Sequence, residues 1–205
     1  NNNSMSQAFL NTLTMAIPST IIPIVMAAFA AYTLAWMNFR GNALVIAAVV
    51  AGLAVPPQVA LIPILKLHID IGIGKGFLGM WLHQCSVTLP FAIFLLYSYM
   101  ARIPREIIEN AKLDGANDFQ IFIRIILPLS IPAIASYAII QFLWTFNDLM
   151  GPKVFLLDNT GDNVVVTEAI IRLLGPYGGQ WEILATGAFI SMAVPLAVFF
   201  AMQRY

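Results

Sequence analysis

Charged residues are so sparse along this chain that they mark the limits of its apolar stretches. No charge precedes Arg40, and Phe9 to Trp36 is the apolar part of that opening stretch. Further charge-free runs extend from Ala43 to Leu65, from Gly76 to Ala101, from about Ile125 to Phe146 and from Ile183 to Met202. A helix needs roughly 20 residues to cross the hydrocarbon core of a bilayer. Each run is long enough, so the pattern predicts an all-α, polytopic transmembrane helix bundle with five spans. Prolines fall in every one: Pro18 and Pro23, then Pro56, Pro57 and Pro63, then Pro90, then Pro128 and Pro132, then Pro195. In a soluble helix each would cost about 3 kcal/mol. Inside a bundle, neighbouring helices, hydroxyls or water can satisfy the carbonyls that proline leaves free. Ala27-Ala28, Ala30-Ala31 and Ala47-Ala48 permit close helix packing. Such spans suit a bundle that moves, although a static bundle can contain them too.

Composition agrees. The chain is 60% hydrophobic and 10% charged, against about 25% charged for a soluble domain. Its formal net charge is zero, which argues against a nucleic-acid partner or a basic membrane-surface patch. The one cysteine, Cys85, excludes an internal disulfide and any cysteine-based metal cluster. The sequence opens on Asn and closes on Gln203-Arg204-Tyr205 without a polar tail. We therefore expect residues 1–205 to be a single transmembrane domain truncated at both ends.

Orientation follows from Lys and Arg in the connections. With the Arg102–Arg124 connection in the cytoplasm, that side also holds Arg40 and Arg204, while Lys66, Lys75, Lys153 and Arg172 lie opposite. The long outer connection from Gly151 to Trp181 reads as ordered. It has turn signals at Asn159–Asn163 and Gly175–Gly179, and Val164 to Leu174 between them suits a short amphipathic helix.

The connection from Arg102 to Pro128 predicts two short helices and a turn. Pro104 suits a first helical turn, and Glu106 and Glu109 put negative charge toward the positive end of the helix dipole. Asp114-Gly115 ends that helix with a residue that tolerates the left-handed conformation. Asn117 is a fitting N-cap, with Gln120 three residues on as in a capping box. Phe119, Phe122, Ile123 and Ile126 share one apolar face, and Pro128 stops or kinks the run. Two readings stand here: a loop lying on the bilayer surface, or a docking knob that offers carboxylates and an apolar face to a partner's groove.

The spacing Glu109-Asn-Ala111, three residues, Gly115, nine residues, Ile125-x-Leu127-Pro128 closely resembles the signature of the inner-membrane permease subunits of binding-protein-dependent ABC importers. Asn110 is the one departure, where the family usually has Ala. Ala30 to Leu34 with Phe39-Arg40-Gly41, Pro57 with Ile62-Pro63, and Trp144 with Asn147-Asp148 are similar to the maltose-type, MalG-like carbohydrate branch. The resemblance implies a type I importer permease fold with six helices in the full subunit, the first absent here. It also implies a second permease subunit, two ATP-binding cassette subunits that bind ATP and Mg, an extracytoplasmic solute-binding protein, and a bacterial or archaeal inner membrane. On this reading residues 102–127 are the coupling segment. Glu106, Glu109, Ala111, Asp114, Gly115, Ala116, Ile125, Leu127 and Pro128 carry it; Glu109 accepts hydrogen bonds from an ATPase subunit, Gly115 holds the turn and Ala111 allows close contact.

A solute pathway needs polar groups facing the bundle interior. Candidates are Tyr137, Gln141, Asn147 and Asp148 in and after the fourth span, and His83, Gln84 and Ser86 in the third. A sugar solute favours Trp144 and Tyr137, whose faces can stack on pyranose rings. The alternative is that these residues glue helices together or sit in an interfacial aromatic belt; nothing near His83 completes a metal site. Among other classes, an intramembrane enzyme lacks its paired Asp, His-x-x-x-His or Gly-x-Ser-x-Gly. A passive channel would leave the cytoplasmic helix pair incidental. Permeases for amino acids, polyamines or phosphonates share the signature. No Gly-x-x-x-x-Gly-Lys-Ser/Thr loop occurs, so nucleotide chemistry falls to a partner and no catalytic residue or cofactor is expected in this chain.

Overall fold

A computed structural model describes residues 5–156, 163–173 and 181–202, and among them every regular element is a helix. In chain order these are α1 (Met5–Trp36), α2 (Asn42–Gly52), α3 (Pro57–Asp70), α4 (Phe77–Met100), α5 (Arg105–Leu113), α6 (Asp118–Ile121), a π-helix (Phe122–Ile126), α7 (Leu127–Leu129), α8 (Ile131–Phe146), α9 (Met150–Phe155), α10 (Val166–Leu173) and α11 (Trp181–Met202). Three helices, α1, α4 and α11, are long and apolar enough to cross a membrane by themselves, and two bent pairs bring the total to five.

Those bends correct the picture of five plain spans. The second run is broken into α2 and α3, which meet at 106°. Pro56 has no N–H and constrains Val55 before it, so the helix stops, and Pro57 restarts it at the first helical position. The fourth run bends by 68° between α7 and α8. There Pro128 cannot donate to the Arg124 carbonyl, and the preceding turn widens so that the Leu127 N–H reaches back to Phe122. The extra residue in that turn also changes which side chains face inward. Ile121, Phe122 and Ile126 are buried, while Phe119 is 64% and Ile123 40% exposed, so the predicted apolar face holds for only two of its four members.

α1 is the central helix and packs on both α4 and α8. Lipid tails are as apolar as side chains, so close contact rather than water release holds such helices together. Ala27, Ala28 and Ala31 of α1 meet Ala92 of α4 and Ala133 of α8 in one buried cluster. Pro18 and Pro23 lie inside α1 and free the carbonyls four residues earlier, those of Thr14 and Ser19. Both find donors on other helices. Trp81 Nε1 of α4 donates to the Thr14 oxygen at 3.0 Å, and Gln141 Nε2 of α8 donates to the Ser19 oxygen at 3.3 Å. Two kinked turns thereby become two cross-helix ties.

At the end of α1 opposite α5, the chain after α8 is pinned in place. Asn11 Nδ2 donates to the Val164 carbonyl at 3.0 Å, and the Val166 N–H donates to Thr12 Oγ1 at 2.9 Å. Glu168 of α10 pairs with Lys153 at 3.1 Å and with Arg172 at 3.2 Å. The expected short helix is α10; the turn signals at 159–162 and 175–179 lie outside the described residues.

Gln141→Leu and Trp81→Phe each remove one of these donors. Each is expected to cost about 1 kcal/mol, the scale of interhelical hydrogen bonds in membranes, read as a lower thermal midpoint of the detergent-solubilised protein.

Candidate functional site

The coupling segment forms the elbow that the local sequence predicts. Pro104 is the N-cap of α5 rather than its first residue, with Glu106 in the first turn and Lys112 in the last. α5 closes in a Schellman motif: the Ala116 N–H donates to the Ala111 carbonyl and the Gly115 N–H to the Lys112 carbonyl, both at 3.0 Å. Gly115 sits at φ +82°, the left-handed conformation that a β-carbon penalises. Asn117 then caps α6. Its side chain accepts from the Gln120 N–H at 2.8 Å and the Gln120 side chain accepts from the Asn117 N–H at 3.0 Å. Lys112 and Asp118 bridge the two helices at 3.3 Å on the surface.

One side of this elbow belongs to the body of the protein. Ile103, Ile108, Ala111, Ile121, Phe122 and Ile126 are buried in the same cluster as the α1 alanines, Leu96 and Met100. The Phe122 ring lies 4.8 Å from that of Phe29 and 5.1 Å from that of Tyr32, and the Tyr32 hydroxyl donates to the Asp118 carbonyl at 3.0 Å. Ala111, 8% exposed, packs into the chain's own core. Ala116, Ile125 and Leu127 are half-buried against the same cluster.

The other side is open. Glu106, Glu109, Asp114 and Pro128 are exposed, and neither glutamate takes an ion pair or hydrogen bond among the described residues. Leu113, 85% exposed, and Phe119, 64% exposed, flank the turn at the tip. Sequence reading missed Leu113. Its position between Lys112 and Asp114, beside a helix-ending glycine, was the available signal, because a side chain there projects past the last turn.

A cavity of about 490 Å³ lies toward the far end, walled by α4 and α8 and bounded by Pro57, Gln58 and Leu61 of α3 and by Met150 and Gly151. Of the expected pathway residues, His83, Gln84, Trp144, Asn147 and Asp148 line it. Tyr137 and Gln141 do not. Both are fully buried; the Tyr137 hydroxyl donates to Gln141 Oε1 at 3.3 Å, and Gln141 Nε2 also donates to Thr145 Oγ1 at 3.2 Å. Those two bonds stay within α8, while Gln141 Nε2 also ties α8 to α1 through the Ser19 carbonyl that Pro23 leaves without its helical donor. Ser86 is exposed and donates to the Leu82 carbonyl in its own helix. Gln58, Thr88 and Phe91 were not foreseen. Thr88 and Phe91 stand four and seven residues after Gln84, on the same helical face.

The cavity's one carboxylate is occupied from within. Asp148 Oδ2 accepts from Gln84 Nε2 at 2.9 Å, while Oδ1 accepts from the N–H groups of Met150 at 3.0 Å and Gly151 at 3.3 Å. Burial pushes its carboxyl above the ordinary carboxylate range, and these hydrogen bonds pull the other way. A β-carbon on Gly151 would lie 2.5 Å from Asp148 Oδ2 and 2.6 Å from Met80 Cε, so the bare glycine lets α9 close over the carboxylate. Trp144 is 60% exposed, and the Phe91 ring packs 5.9 Å from it and 6.0 Å from Tyr137. His83, 3% exposed, stacks on Phe155 at 4.9 Å. Among the described residues, no group of three His, Cys, Asp or Glu side chains could hold a metal.

The described residues thus form an apolar, proline-bent helix bundle with a two-faced elbow and a cavity between two of its spans. The chain belongs to the inner-membrane components of binding-protein-dependent transport systems, whose family model matches residues 8–205. It is 55% identical to the alpha-glucoside transport system permease protein AglG of Rhizobium meliloti over 98% of this chain, and spans 54% of that relative's length. It is 49% identical to the osmoprotective compounds uptake permease protein GgtD of Synechocystis, over 98% of this chain and 67% of the relative. In fold it matches a chain of a bacterial ABC transporter involved in the import of the acidic polysaccharide alginate, at TM-score 0.77 and 18% identity, covering 97% of this chain and 77% of that one. The architecture is that of a type I ABC importer permease.

Because burial already disfavours charge at residue 148, Asp148→Asn keeps an acceptor for the α9 amides at little cost, within about 1 kcal/mol of the parent. Asp148→Ala strands those amides and should cost about 2 kcal/mol. Thermal unfolding in detergent of both variants would check this order.

Proposed function

We propose that this chain forms half of the translocation pathway of an ATP-driven importer and that partner subunits supply the ATP hydrolysis. A second permease would face the open side of the cavity, two ATP-binding cassette subunits would hold ATP and Mg, and an extracytoplasmic solute-binding protein would deliver the solute. The setting is the inner membrane of a bacterium or archaeon, with the elbow in the cytoplasm. The carrying observation is that the elbow shares one buried core with α1 and α4. Leu113, Phe119 and the unpaired Glu106 and Glu109 fill the ATPase's cleft, where Glu109 takes charge-assisted hydrogen bonds. Closure of the ATPase dimer moves the elbow, and the shared core carries that displacement into the spans rather than dissipating it in a loop.

The solute is a neutral sugar or oligosaccharide. Inside the cavity Asp148 is satisfied by Gln84 and α9 and Asn147 Nδ2 donates to the Leu143 carbonyl at 2.9 Å, which leaves the Gln58 amide, the Asn147 side-chain oxygen and the rings of Trp144 and Phe91 to meet a ligand. Amides match hydroxyls, and exposed aromatic faces match the C–H surfaces of a pyranose. A cationic polyamine or an anionic phosphonate would meet no free counter-charge there. Relatives transporting alpha-glucosides and arabinooligosaccharides support the same reading.

Gly115→Val forces a β-branched residue to φ +82°, a conformation costing about 1–2 kcal/mol for an ordinary L-residue and more for a branched one. In the reconstituted importer it should abolish solute-stimulated ATP hydrolysis, while Gly115→Asn, which tolerates that conformation, retains much of it. Normal coupled transport by the Val variant would refute the docking assignment.

A further inference from the structure

Another cavity, of about 350 Å³, lies at the elbow end of the same two helices, lined by Leu95, Ser98 and Tyr99 of α4 and by Arg102 just past its end. The far cavity is lined on α4 by His83, Gln84, Val87, Thr88 and Phe91. Within α4, Gln84, Thr88, Phe91, Leu95 and Ser98 advance by four, three, four and three residues. At 3.6 residues per turn that spacing keeps every one of them on a single stripe of the helix. On α8 the far cavity uses Leu143 and Trp144 and the near one Pro132 and Ser136, again one side. The far cavity ends at Phe91 and the near one begins at Leu95, one turn further on. At that junction Phe91 packs between the rings of Trp144 and Tyr137, and Tyr137 is fully buried.

Resting on the importer reading above, we propose that the two cavities are the outer and inner vestibules of one solute path, and that the Phe91–Leu95 turn with Trp144 is the gate between them. The outer cavity carries amides and a hydroxyl, the inner one hydroxyls and the Arg102 side chain, and the gate is apolar, so a solute advances only when the Phe91 ring leaves Trp144. Tyr137 anchors the fixed side of the gate, because its hydroxyl is tied to Gln141 and through it to the Ser19 carbonyl of α1.

Cysteine accessibility in the assembled transporter tests this. Cys85 is buried and is first replaced by Ser; single cysteines are then placed on that background. A membrane-impermeant methanethiosulfonate is applied, without ATP, to either face of oriented proteoliposomes. Thr88→Cys should react only from the outer face and Ser98→Cys only from the cytoplasmic face. Ser86→Cys, about 200° round the helix from Gln84, should react from neither. Phe91→Ala should let entrapped radiolabelled sucrose leak without ATP, whereas Phe94→Ala, on the flank of the stripe, should not. Reaction of Thr88→Cys from both faces, labelling of Ser86→Cys like that of Thr88→Cys, or a sealed Phe91→Ala would overturn the gate. ATP-dependent uptake by the Cys85→Ser parent is measured separately, so a failed gate and a failed importer reading give different results.

Discussion

In hydrocarbon a chain must satisfy its own backbone, and this protein's central helix begins by breaking that rule. Pro18 and Pro23 leave two carbonyls of α1 without their helical donors in a setting where no solvent competes for them. Trp81 and Gln141 answer from two different helices. The two freed carbonyls of α1 thereby fix where α4 and α8 lie against it, since each donor must reach one particular oxygen. The alanine contacts between α1, α4 and α8 set how close the helices come; the two hydrogen bonds set their register. The cavity and the proposed path lie between α4 and α8, so their geometry descends from those two prolines.

The elbow follows a different rule. It is polar and locally determined, held by a Schellman motif and a capping box that involve no residue outside 111–120. A reader of the sequence can therefore find it, and Asn117, Gln120 and Gly115 stand as expected. What local chemistry could not reveal was the depth of its seat. Phe122 faces inward because Phe29 and Tyr32 of α1 lie across from it, far away in sequence, and Ala111 joins the same buried cluster. The π-turn before Pro128 is equally non-local in its effect: one added residue rotates Ile123 outward and leaves Phe119 at the surface, against the period-3.6 pattern of the sequence.

The spans were legible from the charge-free runs, but their bends were not. Pro56-Pro57 signals an interruption, yet a 106° corner depends on what α2 and α3 pack upon. The candidate site was half legible. Trp144, Asn147, Asp148 and His83 do gather around one cavity, whereas Gln141 looked like a pathway residue because a buried amide in a membrane demands a reason. Its reason lay in Pro23, more than a hundred residues earlier. Gln58 was hidden because it follows the very corner that the sequence could not place, and Phe91 because an apolar residue in an apolar span carries no mark of its own.

Asp148 shows how such a site stays neutral while containing a carboxylate. A buried, free carboxylate between helices would attract any cation and would resist an uncharged ligand that cannot replace its water. Here Gln84 and the amides at the start of α9 take its oxygens, and Gly151 is bare so that they can approach. The charge becomes a strut between α4 and α9, and the amides and rings left facing the cavity are uncharged. In the proposed pathway a wall of that kind would hold polyhydroxylated solutes weakly and by shape. Weak binding is what a conduit requires, because a solute held tightly at one vestibule would not cross the aromatic turn to the next.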